Sequence, residues 1–271
     1  MHFMKLRLQL ADTRGFRVVM ACTASMTVLA LPLAAQTLRR ADYREIYVSP
    51  DVKSHQGYAT DGTNHYTFDN TTIYKWAADQ KWSLMLSNNA PFAGLDGLNH
   101  FGDGDYFEGK LYIVAEFWGG CEHYTNQSIT VFDAATLRRL EVHSVSAQGH
   151  EVAGLAVAPS DGPGGMIYVA SYCDGGKLFK YDLRTFEFAG VLPLSRPLAN
   201  LQGVAWHAGQ FYAPVDGGDI YTFDSDGRVR LLYHDTHIGS HEGLKYAGLG
   251  LRWLIDEGPG KQRVHYISAM P

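Results

Sequence analysis

The sequence predicts an all-β fold, a five-bladed β-propeller with four-stranded blades. Five glycines recur along the chain at intervals of about 40 to 57 residues. After each glycine come two aromatic-containing runs that alternate apolar and polar residues, as half-buried strands do. Repeats of about 40 to 50 residues with several strands each are typical of propeller blades. The repeat glycines are Gly57, Gly97, Gly154, Gly203 and Gly243.

The two ends of the predicted propeller indicate how the ring closes. The fifth repeat stops at its third strand, because only four residues follow Ile267. A lone strand-like run at residues 44–48 precedes the first repeat and can complete the last blade. This pairing leaves no open sheet edge, which would otherwise promote aggregation. No stretch of the mature chain shows sustained helical periodicity, so we expect pure β-sheet throughout.

The first 35 residues predict a secretory signal peptide. Basic residues between Lys5 and Arg17 precede an uncharged stretch that ends at Ala35, a small residue suited to cleavage. The alternative is an uncleaved membrane anchor, for which about 18 uncharged residues are barely long enough. We therefore expect a signal peptide over residues 1–35 and a single propeller domain over residues 36–271. The protein would be secreted or periplasmic, with no membrane contact after cleavage.

Composition argues against several classes of partner. The 271-residue chain has a formal net charge of -5 and no basic stripe, so nucleic acid is not an expected partner. No glycine-rich loop ends in the Lys-Ser or Lys-Thr pair that would hold nucleotide phosphates. The length after cleavage suits one closed propeller, and we expect a monomer that binds a small polar molecule or a saccharide.

Two cysteines, Cys121 and Cys173, remain after the predicted cleavage. They follow the second strands of blades two and three, and neighbouring blades present these loops side by side. An oxidising compartment would allow a disulfide between them. Two unpaired buried thiols are the alternative, because spacing along the chain does not fix the short Cα separation that a disulfide needs.

Polar residues gather at two places that meet on one face of a propeller. Each blade's first strand begins at the central channel on that face, and its second strand ends there. Carboxylates, imidazoles and amides at such a mouth can position a substrate and transfer protons. The catalytic candidates are His55, Gln56, Asp96, His241 and Glu242. The substrate-binding candidates are Asp69, Glu116, Trp118, Tyr172, Asp174 and Asp256.

So many carboxylates around one axis would repel one another unless hydrogen bonds, protons or a cation compensated them. We therefore expect one divalent metal ion as a cofactor, either Ca²⁺, Mn²⁺ or Zn²⁺. Its predicted ligands are His150, Gln202, Asp216 and Glu242. The alternatives are structural: an Asp beside Gly can bond nearby backbone amides in a turn, and a His can be a satisfied packing residue.

Short motifs resemble those of known propeller families. Gln56-Gly57, Asp96-Gly97 and the stretch at residues 149–155 are similar to the early blades of bacterial and plant glutamine cyclotransferases. That family is five-bladed and forms N-terminal pyroglutamate. Blade four, from residue 201 to residue 224, is similar to gluconolactonase-like and NHL-type propellers.

The lactonase resemblance implies a central cation that activates water for ester or lactone hydrolysis. By that resemblance Gln202, Asp216 and Glu242 could hold the cation, with His55 or His241 as general base.

Three functions follow as hypotheses. The first is a metal-assisted hydrolase or lyase that acts on a lactone or a saccharide, and the sequence favours it. The second is a glutamine cyclotransferase-like enzyme without a metal, in which Gln56, Asp96 and Glu242 orient a substrate amine and move a proton. The third is a propeller that binds a glycan or a protein without chemistry.

Overall fold

A computed structural model of the protein describes residues 43–161, 164–237, 239–248 and 250–269. These residues form twenty β-strands and one 3₁₀ turn, Ser146–Gln148. The strands make five antiparallel four-stranded sheets, which confirms the predicted five-bladed β-propeller. The predicted signal peptide lies outside the described residues. Among the residues that are described, no helix could cross a membrane.

The strands of each blade follow one another from the axis outwards, after a first strand β1 (Tyr43–Val48) that belongs to the last blade. Blade one contains β2 (Gly57–Thr60), β3 (Asn64–Asp69), β4 (Thr72–Ala77) and β5 (Leu84–Asn88). Blade two contains β6 (His100–Phe107), β7 (Lys110–Trp118), β8 (Tyr124–Asp133) and β9 (Arg139–Ser144). Blade three contains β10 (Gly154–Ala158), β11 (Met166–Ala170), β12 (Lys177–Asp182) and β13 (Phe188–Pro193). Blade four contains β14 (Ala205–His207), β15 (Gln210–Val215), β16 (Asp219–Asp224) and β17 (Arg230–His234). Blade five contains β18 (Ser240–Ala247), β19 (Gly250–Asp256) and β20 (Gln262–Ala269), together with β1.

The N-terminal strand closes the ring as the sequence predicts. Strand β1 pairs antiparallel with β20, so that Val48 lies opposite His265 and Glu45 lies opposite Ile267. A register shift between Glu45 and Tyr47 marks a bulge in this pairing. Blade five is therefore built from both ends of the propeller, and its fourth strand comes from the start of the chain.

Apolar side chains fill the space between neighbouring blades. Between blades two and three, Val114 and Ile129 pack with Leu155, Val157 and Ile167, all of which are buried. The outermost strands are more accessible, and β9 alternates half-buried and exposed positions. Each large aliphatic side chain removed from water stabilises the fold by about 1.5–3 kcal/mol. The layers between blades are therefore the hydrophobic core that keeps the inner strands in place.

Four repeat glycines let the innermost strands touch around the axis. A Cβ on Gly243 would lie 2.6 Å from the backbone nitrogen of Tyr58 and 2.7 Å from Cα of Gly57. A Cβ on Gly154 would lie 2.8 Å from Cα of Gly203. Side-chain carbons do not approach backbone atoms so closely, so any larger residue would push the strands apart.

Blade two departs from the predicted register. The sequence pattern places Gly97 at the start of its first strand, but β6 begins at His100, and Gly97 lies in an exposed loop before it. Asp103 takes the position nearest the axis, because a Cβ on Gly57 would lie 2.7 Å from its Cα. The assignment of Gly97 is therefore wrong. A bulge between Phe101 and Gly104 shifts the register of β6, and glycine spacing does not reveal such a shift.

Asp103 puts a carboxylate on the axis, where Lys245 of blade five neutralises it. Nζ of Lys245 lies 2.5 Å from Oδ2 of Asp103 and also donates to the carbonyls of Leu155 and Val204. The backbone N–H of Tyr58 donates to Oδ1 of Asp103 at 3.0 Å. Burial raises the pKa of Asp103 to about 6 although the neighbouring Lys245 opposes this, so the Asp103 carboxylate is charged at neutral pH. The contacts join all five blades.

We predict that Lys245→Met lowers the free energy of unfolding by about 3–5 kcal/mol, because it leaves a buried carboxylate without its partner. The double variant Asp103→Asn/Lys245→Met should lose clearly less than the sum of the two single variants. Urea unfolding of the four proteins measures both effects. Lys110→Met, which removes a partly exposed ion pair with Glu141, is the control and should cost at most about 1 kcal/mol. Additive losses would contradict the account.

Candidate functional site

A cavity of about 300 Å³ opens at the axis, above the ring of glycines. All five blades contribute to its wall, which matches the predicted convergence of strand starts and strand ends. The lining residues are Gln56, His100, Gly102, Glu116, Trp118, Glu151, Val152, Ala153, Tyr172, Gln202, Asp216, Ser240 and Glu242.

The polar positions directly before the axial glycines face this cavity in three blades. They are Gln56, Gln202 and Glu242, as the sequence predicts. Blades two and three present the small residues Gly102 and Ala153 instead, which leaves room for a ligand. Asp96 is exposed and is not among the lining residues, because the register of blade two differs from the predicted one.

Glu116, in strand β7, is a buried carboxyl group at the cavity wall. Burial raises its pKa to about 9, and the nearby charge of Glu151 adds to this shift. The backbone N–H of Val152 donates to Oε2 of Glu116 at 3.3 Å and opposes the shift only in part. Glu116 is therefore protonated at neutral pH, and a neutral carboxylic acid can donate a proton to a leaving group.

Glu151 is held rigidly beside it. Ser171 donates its hydroxyl to both carboxylate oxygens of Glu151, at 2.9 and 2.8 Å, and the backbone N–H of Cys173 donates to Oε1 at 2.6 Å. Cys173 is in turn bonded to Cys121 in a disulfide with a Cα separation of 5.8 Å. The predicted bridge is thus confirmed. It ties blade two to blade three at the point where Glu151 is oriented.

Asp216 is the centre of a second hydrogen-bonded group at the cavity wall. Its Oδ2 accepts hydrogen bonds from the Tyr172 hydroxyl at 3.1 Å and from Nε2 of Gln202 at 3.3 Å. Its Oδ1 accepts from the Ser240 hydroxyl at 3.1 Å and from the backbone N–H of His241 at 3.3 Å. Asp216 therefore has a fixed orientation at the cavity wall.

Glu242 is buried beside this group, and its Oε2 has no hydrogen-bond partner among the described residues. Burial raises the pKa of Glu242 well above its usual value, and the neighbouring carboxylates of Asp216, Asp256 and Asp103 add to the shift. An unpaired buried oxygen is costly unless a ligand uses it. This atom therefore marks a place where a donor from a bound molecule would fit.

Aromatic rings complete the wall. Trp118 and Tyr172 meet edge to face with their ring centres 6.4 Å apart, and His100 stacks on Trp118 at 6.2 Å. Burial lowers the pKa of His100 to about 4, with the nearby His55 as a smaller cause. His100 is therefore neutral at neutral pH. Neither His100, at the start of β6, nor Glu151, just before β10, is among the predicted site residues. Their nearness to the start of a first strand is the sequence signal that could have identified them.

The lining is acidic without any basic counterpart. Four carboxyl groups face the cavity, and none of the described residues that line it is Lys or Arg. Such a site favours a ligand that carries positive charge or several hydrogen-bond donors.

Both predicted catalytic histidines lie elsewhere. His55 pairs with Asp69 at 2.9 Å, this hydrogen bond raises the pKa of His55, and neither residue is among the lining residues. His241 is buried against Trp253 and its Nε2 lies 3.2 Å from Asp235. The structure therefore gives the two histidines separate carboxylate partners and does not bring them to the cavity wall.

Three further predicted residues are occupied by local contacts. Asp174 pairs with Lys177 at 2.7 Å and His150 at 3.5 Å, and it accepts a hydrogen bond from the backbone N–H of Gly176. Asp256 accepts hydrogen bonds from its own loop, residues 258–262. None of His150, Asp174 and Asp256 is a lining residue. Asp174 and Asp256 therefore act as the structural alternative predicts, because their carboxylates accept hydrogen bonds from nearby backbone amides in a turn.

The predicted metal ligands are not gathered as a set. Gln202, Asp216 and Glu242 share the cavity, but His150 does not line it. Within the described part of the chain, one group of three His, Cys, Asp or Glu residues has the spacing to hold a metal ion. That group is Glu45, His237 and His265, whose ligand atoms lie within 4.8 Å of one another. It is not part of the cavity lining.

No protein-family model matches the chain, and no curated protein matches it. Among solved structures the chain is similar to glutaminyl cyclase of Myxococcus xanthus, with a TM-score of 0.62 and 13% identity over 87% of this chain and 100% of that one. It is also similar to a chain of a nidogen/laminin complex (TM-score 0.49, 13% identity, 74% of this chain and 71% of that one). BamB from Moraxella catarrhalis has a TM-score of 0.41 and 11% identity over 81% of this chain and 61% of that one. The resemblance to a five-bladed cyclase is thereby confirmed for the fold.

Glu116 should make the protein less stable as pH rises. Because its folded-state pKa of about 9 exceeds the ordinary value of 4.5, the folded state holds more protons between these two values. Stability therefore falls across that range. We predict that Glu116→Gln flattens this fall and is more stable than the native protein at pH 8 by up to about 5 kcal/mol, since each pH unit above 4.5 costs the native protein about 1.4 kcal/mol.

Urea unfolding at pH 5, 6, 7 and 8 measures the difference between the two proteins. Glu187→Gln, on an exposed turn, is the matched control and should leave the pH dependence unchanged. A Glu116→Gln curve parallel to the native one would show that Glu116 ionises normally.

Proposed function

We propose that the protein binds a primary ammonium group in the central cavity and cyclises N-terminal glutamine, with release of ammonia. The observation that carries this proposal is the cavity's four carboxyl groups, with no Lys or Arg among the described lining residues; one of these carboxyl groups, Glu116, has a pKa of about 9. The fold shared with glutaminyl cyclase of Myxococcus xanthus is consistent with it. Fold alone does not decide function, so the argument rests on the site.

Substrate binding would use the two hydrogen-bonded carboxylates and the aromatic wall. Glu151 and Asp216 are each held in place by several donors, so they would meet an ammonium group without having to reorganise. Trp118 and Tyr172 offer apolar surface to the glutamine side chain. A cavity of about 300 Å³ suits one terminal residue of a peptide, with the rest of the chain outside.

The reaction needs proton transfers at two nitrogens, the attacking amine and the leaving amide nitrogen. The bound ammonium gives one proton to Asp216, and the free amine attacks the carbonyl carbon of its own side-chain amide. A ring C–N bond forms and the bond to the amide nitrogen breaks. Glu116 donates a proton to the leaving nitrogen and regains one from the attacking nitrogen. The proton on Asp216 leaves with ammonia as ammonium, so both carboxyl groups return to their starting state.

A second candidate is the metal-assisted hydrolase that the sequence favours. Its specific support is the unpaired Oε2 of Glu242 beside Asp216 and Gln202, since carboxylate and amide oxygens are ligands for hard divalent cations. We rank it second because the predicted His150 is not at the cavity. If neither reaction occurs, the remaining hypothesis is a propeller that binds a glycan or a protein without chemistry.

We also propose an extracellular or periplasmic location. The disulfide between Cys121 and Cys173 supports it, because such bonds persist in oxidising compartments.

The test is ammonia release from a peptide with N-terminal glutamine by the purified mature protein, with the pyroglutamyl product identified by mass. We expect turnover that chelation by EDTA does not abolish. Glu116→Gln should lower kcat by about 10²–10⁴-fold, because it removes the proton donor. Glu187→Gln, outside the cavity, is the control and should keep native activity.

An N-acetylated copy of the same peptide should not react, because its nitrogen can neither be held as ammonium nor attack. Turnover of a lactone that EDTA abolishes, with none of the peptide, would favour the second candidate and sink the first.

A further inference from the structure

A second cluster of ionisable side chains lies where the ring closes, apart from the central cavity. Glu45 comes from β1, His265 from β20 and His237 from the segment between β17 and β18. Oε2 of Glu45 lies 2.6 Å from Nδ1 of His265 and 3.8 Å from Nε2 of His237. One potential ligand atom from each residue lies within 4.8 Å of the other two. We call this group the closure cluster.

Each imidazole of the closure cluster has a carboxylate near its other ring nitrogen. Nδ1 of His237 is hydrogen-bonded to Oδ1 of Asp235 at 2.6 Å. Nε2 of His265 lies 3.1 Å from Oε1 of Glu257, but the two are not aligned for a hydrogen bond, and this nitrogen has no other partner among the described residues. The nitrogens that face Glu45 are thus the ones left over from these pairs. A carboxylate behind each ligating histidine is the usual arrangement in metal sites, where it fixes the ring and strengthens the donor nitrogen.

The burial of His265, and of Asp235 behind His237, distinguishes the closure cluster from a chance group of surface residues. The His265 side chain is 1% exposed and the Asp235 side chain 4% exposed. Asp235 is itself held by Nε2 of His241 at 3.2 Å and by the backbone N–H of Thr236 at 2.9 Å. Glu45 and His237 are each about one-third exposed, so an ion could enter from solvent and these two side chains could adjust to it.

The donor set selects the metal. Two imidazole nitrogens and one carboxylate oxygen are typical zinc ligands, with water in the fourth position. Calcium and magnesium prefer oxygen donors in larger numbers, and the closure cluster supplies a single carboxylate. We propose that Glu45, His237 and His265 bind one Zn²⁺, which fastens the N-terminal strand to blade five. This site is independent of the central cavity and of the function proposed for it.

A metal ion in the closure cluster would hold β1 against blade five, where the ring closes. The N-terminal strand is joined to blade five by the backbone pairing of β1 with β20 and by side-chain contacts such as Glu45 with His265. A metal bound to side chains from both strands and from the segment before β18 adds a further link, and it binds the folded state only. Zinc therefore stabilises the folded protein in proportion to its affinity.

The experiment titrates Zn²⁺ into untagged, metal-free mature protein by calorimetry and records thermal melts with and without the metal. We expect one equivalent to bind and the melting temperature to rise by several degrees. His237→Gln and Glu45→Gln should each weaken binding by roughly 100-fold or more and abolish the rise. Glu257→Gln should weaken binding by about 10-fold, since it acts through His265.

Two controls separate this site from others. His234→Gln removes an exposed histidine of β17, paired with Asp219, and should leave Zn²⁺ binding unchanged. Glu242→Gln alters the central cavity and should also leave it unchanged. Both cluster variants change partly exposed residues, so they are expected to fold. An absence of Zn²⁺ binding, or binding that survives both cluster substitutions, overturns the proposal.

Discussion

The buried ion pair of Asp103 and Lys245 is the constraint on which the centre of this propeller depends. In the other blades glycine lets the inner strands meet at the axis, but blade two brings a carboxylate to that crowded position. Lys245 balances its charge and at the same time donates to carbonyls of blades three and four. A buried charge without a partner is far more costly than a buried pair, so the two residues have to be present together. The floor of the cavity is thereby fixed by electrostatics as well as by packing.

Much of the fold could be predicted from the sequence, and the reasons are local. Alternating apolar residues and regularly spaced glycines define strands and blades, and the run at residues 44–48 could be matched to the unfinished last blade. The register of blade two could not be predicted. Gly97 has the expected neighbours, whereas the bulge after Phe101 that puts Asp103 on the axis leaves no mark in glycine spacing. Local patterns predict strands well, but they do not show which residue of an irregular strand reaches the centre.

The candidate site could be predicted only in part, because the sequence pattern shows where a strand begins or ends but not where each side chain points. Gln56, Gln202, Glu242, Glu116 and Asp216 lie at the cavity, because strand starts and strand ends converge there by the geometry of the fold. His55 and His241 do not, since each has a carboxylate partner that draws it elsewhere. Side-chain direction depends on such partners, and their identities come from distant parts of the chain. Glu151 is near enough in sequence to the start of β10 to reach the cavity, but its orientation depends on Ser171 and on the disulfide, and it is absent from the predicted site residues.

Function and stability are in tension at this cavity. Burial beside other carboxyl groups raises the pKa values of Glu116 and Glu242 and costs free energy. The hydrogen bonds to Glu151 and Asp216 offset part of the cost of burying these carboxyl groups. A bound cation would relieve that cost. The argument for an ammonium ligand rests on the chemistry of the cavity.

The central claim is that this cavity selects a primary ammonium group. Its most direct test is calorimetric titration with Asn-Phe amide, whose short side chain cannot close a five-membered lactam, and with the N-acetylated form of the same compound. The account predicts that the free amine binds with a stoichiometry of one, and that acetylation removes binding. Equal affinity for the two compounds, or no binding of either, would contradict it.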